Sequence, residues 1–284
     1  MNILSTVPQQ EYTLEQKLKY IYLLPRADLT VLPQEYFGGM YIMSRHPCFE
    51  EEELRWPLEQ IAKIKSTHLV VGVVEKERDQ IFQRAWIIHR EKGLIDKFTK
   101  CAIPSYADIE RGGYYGITAG NLEDRARCVE LDEWRVTLLF CWEAFSKSVW
   151  SALASGHPDL VLSLIKFGTM AEPLYGEKEG KRYLRGFEVR EGQDSWVERL
   201  EQASRWEVEC PIICATNTWD LDLRSHPFCG LVGFNLVSPT IKSSGGCVAW
   251  ITLKKGKKVF PRDERQERIQ YWEEKWTKQR LNKP

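Results

Sequence analysis

The stretch VTLLFCWEAFSKSVWSALASGHPDLVLSLI, residues 136–165, decides the fold class. Val136 to Cys141 is an apolar run of strand length, Ser146 to Ser155 fits a helix, and Leu160 to Ile165 is a second strand-like run. The same alternation continues outward. Further strands are predicted at Leu29 to Leu32, Leu69 to Val74, Ala85 to His89, Ile212 to Thr216 and Cys247 to Leu253. Helices are predicted from Thr13 to Leu24, where Thr13 and Gln16 form a Thr-x-x-Gln cap signal, from Glu51 to Lys65, and from Ser195 to Trp206. Strands alternating with helices imply an α/β protein whose sheets are covered on at least one face. No internal repeat or Gly/Ser linker divides the chain, so one domain is expected over 1–261. A tail follows at 262–284, where Ile269, Trp272, Trp276 and Leu281 stand near helical spacing.

Bulk properties narrow the function classes. Forty basic and forty acidic residues cancel, so the overall basic excess that nucleic-acid binding exploits is missing. The longest apolar runs are far too short to cross a bilayer, and MNILSTVPQQEYTLEQKLKY does not read as a secretory signal. A cytoplasmic protein with neither nucleic acid nor membrane as partner is the expectation. Eight cysteines are scattered at 48, 101, 128, 141, 210, 214, 229 and 247, unlike the dense framework of a small secreted domain, and reduced thiols follow. Cys210 and Cys214 have a spacing that half a metal site would share, but Pro-Ile-Ile between them reads as buried strand.

Cys141 stands apart by position. It ends a strand just before a helical stretch, where its thiol is presented at a carboxyl strand end and backbone N–H groups can stabilise a thiolate and an oxyanion. Serine-hydrolase, nucleotide-binding and zinc-protease motifs do not occur. His46, His157 and His226 each precede a proline, as turn residues do.

The segment LFCWEAF at 139–145 resembles the nucleophile segment of the nitrilase, or carbon-nitrogen hydrolase, superfamily. Other segments resemble that family in the required order: ADLTVLPQEYFGG at 27–39, DKFTKCAIP at 96–104, IERGGYYGITAG at 109–120, ASGHPDLVLSL at 154–164 and IICATNTW at 212–219. The resemblance implies a four-layer α-β-β-α sandwich, subunits paired as a homodimer or higher homo-oligomer, and chemistry without a metal or organic cofactor. It also implies site residues. Cys141 is the nucleophile, Glu35 the base, and Lys100 and the backbone N–H of Trp142 stabilise the oxyanion. Glu110 orients substrate or assists proton transfer. Those parts are what amide or nitrile hydrolysis needs. The substrate range is a small linear amide, carbamoyl compound or nitrile, with amides ahead.

One departure from the family pattern bears on the base. The family places its glutamate directly after the proline, whereas Pro33 here is followed by Gln34 and then Glu35. Read without a gap, Gln34 takes the base position and the chain is an inactive binding or assembly protein. Read with one extra residue, such as a bulge at the strand end, Glu35 takes it. A regular strand would send the two side chains to opposite faces.

Overall fold

The computed structural model describes residues 1–8, 13–38, 48–102, 117–167, 175–178, 181–184, 199–200, 202–205, 207–218, 230–232, 241–243 and 246–255. For 7–8, 142, 166–167, 175–178, 181–184, 216–218, 230–232, 241–243 and 246–248 the backbone alone is described. The elements in order are β1 (Asn2–Pro8), α1 (Leu14–Leu23), β2 (Leu29–Val31), α2 (Glu51–Lys65), β3 (His68–Glu77), β4 (Gln80–His89), β5 (Gly93–Thr99), β6 (Val129–Leu131), β7 (Trp134–Phe140) and α3 (Lys147–Ser155). They continue with β8 (Leu160–Phe167), β9 (Tyr175–Lys178), β10 (Lys181–Leu184), β11 (Ile212–Thr218), β12 (Gly230–Val232), β13 (Ile241–Ser243) and β14 (Gly246–Thr252).

Two sheets carry the structure. Among the described residues the first has seven strands in the order β13-β14-β1-β2-β3-β4-β5, and the second five in the order β12-β11-β8-β7-β6. β9 and β10 form a separate hairpin. Within the first sheet β1, β2 and β3 run parallel; within the second, β7, β8 and β11 do.

Side-chain alternation turns these strands into layers. Val136, Leu138 and Phe140 of β7 and Leu160, Leu162 and Leu164 of β8 meet Val31, Val70, Ala85, Ile87 and Phe98 of the first sheet in one interior cluster. The opposite face of the second sheet, with Leu139, Val161, Ile165 and Ile212, packs on Val149, Trp150 and Leu153 of α3. The opposite face of the first sheet, with Leu69, Val71, Val73, Trp86 and Ile88, packs on Ile21 of α1 and on Leu54, Leu58, Ile61 and Ala62 of α2. Helices outside and two sheets inside give the α-β-β-α arrangement expected of the sequence.

Local signals behave as read. Thr13 and Gln16 form a reciprocal capping box, with Gln16 N–H donating to Thr13 Oγ1 (3.2 Å) and Thr13 N–H to Gln16 Oε1 (2.8 Å). Residues 199–200 and 202–205 are helical, within the predicted 195–206. Cys210 and Cys214 are buried strand-region thiols, as the Pro-Ile-Ile between them indicated. Among the described residues no helix is long and apolar enough to cross a membrane. The tail at 262–284 lies outside the described residues.

Candidate active site

Glu35, Lys100 and Cys141 follow the carboxyl ends of β2, β5 and β7. β2 stops at Val31, yet the chain stays along β3: Leu32 N–H donates to Val70 O (2.8 Å) and Phe37 N–H to Gly72 O (3.0 Å). Between these two bonds β3 advances two residues while the other segment advances five. The excess is taken up by a turn at residues 34–36. A turn, rather than a one-residue bulge, therefore absorbs the extra residue, and Glu35 sits in it with φ at 56°. A left-handed conformation at a non-glycine residue is strained, and such strain concentrates at functional sites.

That turn overturns the expectation of opposite faces. Gln34 and Glu35 are each 1% exposed, and their side chains converge. Gln34 Nε2 donates to Glu35 Oε1 and to Gln83 Oε1, both at 3.2 Å, while Gln83 Nε2 donates to Glu35 Oε1. Gln34 and Glu35 thus stand side by side in one buried hydrogen-bonded set with Gln83. Gly72 makes this possible. A Cβ there would lie 2.3 Å from Pro33 O, 2.5 Å from Glu35 N and 2.6 Å from Gln34 Cα, so only glycine lets the turn lie against β3.

Gln83 also reaches the next candidate. Its carbonyl accepts from Lys100 N–H at 2.9 Å, which sets Lys100 just beyond β5, fully buried. From there a second tie leads to the cysteine. Glu143 Oε1 accepts from Cys101 N–H (2.7 Å) and its Oε2 from Phe140 N–H (3.0 Å), the residues after Lys100 and before Cys141. Arg125 Nη2 donates to Glu143 Oε1 at 3.0 Å and also to Thr99 O; both side chains of this ion pair are 0% exposed. Leaving either charge buried alone would be costly, so the pair is a rigid fastener between the two segments.

Cys141 opens a 3-10 turn over Cys141–Phe145, with φ at 34°, and is 4% exposed. The turn is clamped from α3: Trp150 Nε1 donates to Ala144 O (2.8 Å), and Ser146 caps the helix through Val149 N–H (3.4 Å). Cys141 therefore follows β7 on a short turn before α3. Three other thiols sit where their charged form is disfavoured. Burial, followed by the Glu143 charge, pushes Cys101 up to about 11, and burial raises Cys128 and Cys210 as well. Those settings favour the inert thiol form.

Glu35, Lys100 and Cys141 are thus linked end to end through Gln83 and Glu143. The backbone of Trp142 lies in the 3-10 turn, and its side chain is outside the described residues, as is all of Glu110. Sequence reasoning missed Gly72, Gln83 and Arg125. A glycine inside the apolar run HLVVGVV was the one local signal, since glycine in a strand marks a close backbone approach.

A second polar cluster lies elsewhere. His68 at the start of β3, His89 at the end of β4 and Asp132 between β6 and β7 bring ligand-type atoms within 4.8 Å of one another. Both Nδ1 atoms are already committed, however. His68 Nδ1 accepts from Arg90 N–H (3.3 Å), and His89 Nδ1 accepts from Glu91 and Lys92 N–H (3.1 and 3.3 Å). A neutral ring bonded this way carries its proton on Nε2, and His68 Nε2 faces Asp132 Oδ1 at 3.2 Å. Arg90 adds an ion pair to the same oxygen at 2.8 Å. The donor set fits a latch between the two sheets better than a metal site.

Comparisons with known proteins agree with this architecture. A search of curated proteins found no match. Among solved structures, the chain resembles an amidase from Nesterenkonia sp. AN1, seen with acrylamide added at its active-site cysteine. Identity is 14%, coverage 97% of this chain and 99% of that chain, and the TM-score 0.60. It also resembles a carbon-nitrogen hydrolase from Helicobacter pylori G27 (15% identity, 81% and 80% coverage, TM-score 0.60). Nit3 of Saccharomyces cerevisiae, a member of branch 10 of the nitrilase superfamily, is similar at 12% identity, 88% and 89% coverage and TM-score 0.59. At such identities these likenesses concern the fold. Residues 2–235 match the family described as carbon-nitrogen hydrolase, and with most of its length covered by that match, the chain belongs to the carbon-nitrogen hydrolase family of the nitrilase superfamily.

Proposed function

We propose that the chain hydrolyses a small linear carboxamide or carbamoyl compound through a covalent thioester-type intermediate on Cys141, with nitriles as the secondary class. Glu35 takes the thiol proton as sulfur adds to the carbonyl carbon. Lys100 and the Trp142 N–H stabilise the negative oxygen that forms, and Glu110 assists in orienting substrate. Collapse breaks the C–N bond, and the nitrogen leaves as ammonia or an amine with the proton held by Glu35. Water, deprotonated by Glu35, then cleaves the acyl-sulfur bond.

The observation that carries this reading is the continuous tie from Glu35 through Gln83 to Lys100, and from Cys101 through Glu143 to Phe140. Its members are far apart in sequence and converge at strand ends, where such chemistry is placed. Two amide donors on one oxygen of Glu35 hold that carboxylate in one orientation, which a general base requires.

Intact-mass analysis after incubation with a panel of amides, carbamoyl compounds and nitriles, together with ammonia assay, tests the reading. A covalent adduct mapping to Cys141, and its loss with turnover in Cys141→Ala, is the expected result. Ammonia release retained by Cys141→Ala would remove that residue from its role.

A further inference from the structure

Gln34 is buried at 1% exposure, and the contacts described use one end of its amide. Nε2 donates to two acceptors, Glu35 Oε1 and Gln83 Oε1, each at 3.2 Å. This fixes which way the amide faces, because turning it over would set its carbonyl oxygen against two other acceptor oxygens. Oε1 therefore points away from them. It is buried, and among the described residues it has no hydrogen-bond partner. Buried carbonyl oxygens are nearly always satisfied, so an orphan beside a candidate base calls for a ligand group.

We propose that Gln34 Oε1 is a substrate-recognising acceptor that takes an N–H of the scissile carboxamide or carbamoyl group, selecting NH2-bearing amides over nitriles. This rests on the reading of Cys141 as nucleophile. A primary amide nitrogen carries two N–H donors. A nitrile nitrogen carries none and would present a lone pair to a second acceptor. The oxygen belongs to the amide whose nitrogen contacts Glu35, and on this proposal the nitrogen it holds is the one that Glu35 protonates. As the tetrahedral intermediate collapses, the C–N bond breaks and the nitrogen gains that proton. An N–H fixed on Gln34 leaves the nitrogen lone pair turned towards the acid. The residue that interrupts the family's Pro-Glu spacing thereby acquires a role in choosing the substrate.

The test compares two electrophiles that differ in the feature at issue. Acrylamide has the NH2 group and acrylonitrile lacks it. With both, the thiolate adds to the β-carbon to form a C–S bond, the α-carbon takes a proton, and nothing leaves. Rates of adduct formation at Cys141 are followed by intact mass and peptide mapping in the full chain and in Gln34→Met. The acrylamide-to-acrylonitrile rate ratio should fall about tenfold in the variant, the size of one lost hydrogen bond. An unchanged ratio, with both rates altered equally or neither altered, overturns the inference while leaving Cys141 in place. No adduct at Cys141 in the folded protein overturns the nucleophile reading and this inference with it. Should Gln34→Met not fold, N,N-dimethylacrylamide, which has no N–H, takes the variant's place. The ratio of acrylamide to dimethylacrylamide at Cys141 should then exceed that at the thiol of glutathione by about tenfold, and equality would refute the role of Gln34.

Discussion

Replacing Gly72 by alanine puts one methyl group where the main chain of the Glu35 turn now lies. The added carbon would stand 2.3 Å from Pro33 O, 2.5 Å from Glu35 N and 2.6 Å from Gln34 Cα, against an ordinary contact of at least 3.4 Å. All three are backbone atoms, so no side chain can rotate away. The turn must move by roughly 1 Å, and Glu35 moves with it. Overpacking of this kind costs about 1–3 kcal/mol, or about 5 °C in Tm for a chain of this size. Displacing a reacting group by about 1 Å costs roughly a hundredfold in rate. The sign is informative, because Gly72 is not among the glycines with positive φ. Without the clash, alanine would be neutral or stabilising by about 0.4–1 kcal/mol through the unfolded chain. The assay is thermal unfolding beside kcat/KM, or Cys141 alkylation rate, measured well below the Tm. A Gly72→Ala protein that is as stable and as reactive as the parent would refute the close approach and the placement of Glu35 built on it.

Three further outcomes follow from other contacts. Arg125→Met leaves the Glu143 carboxylate buried without its guanidinium and should lower unfolding stability by about 3–5 kcal/mol; the Arg125→Met/Glu143→Gln double variant should recover part of this, measured by urea unfolding. Burial holds His68 and His89 below the ordinary histidine value, with Asp132 opposing the effect and Arg90 adding to it. The unfolded chain therefore binds protons first, and stability present above about pH 6.5 should decline as pH falls, by up to about 1.4 kcal/mol per unit for each ring. Melting curves from pH 7.5 to 5.5 on the parent and on His68→Gln check this, and equal slopes would contradict it. Cys101, pushed up to about 11, should resist iodoacetamide at pH 8 while Cys141 is modified, as peptide mapping would show.

Elements buried on both faces were the ones legible in the sequence. β7, β8 and β11 are continuous apolar runs because sheet packs on one side of them and helices on the other. β1 escaped because Ser5 and Thr6, both 0% exposed, break its pattern although it is an interior strand. β5 lies at a sheet edge with most of its residues half-buried, so GLIDKFT carries neither alternation nor an apolar run. Cys141, Lys100 and Glu35 were singled out through their order along the chain. The register at Gln34 and Glu35 was not decidable, since strand alternation has no bearing on a turn. Arg125 had no local signal at all. Its role depends on Glu143, 18 positions later, and on sheet packing that sequence spacing does not express.

The pairing of β1 with β14 has a consequence for how the chain is made. β1 carries β2 on one side and β14 on the other, and Met1 N–H donates to Leu253 O at 2.9 Å. During synthesis, Ile3 and Leu4 emerge well before β14, the strand that covers their open edge. Until then the nascent chain offers an unprotected β edge, the kind that recruits other chains into aggregates. Shortening the protein before Gly246 would make that interim state permanent. β1 is therefore a strand that a ribosome-bound chaperone would help to protect.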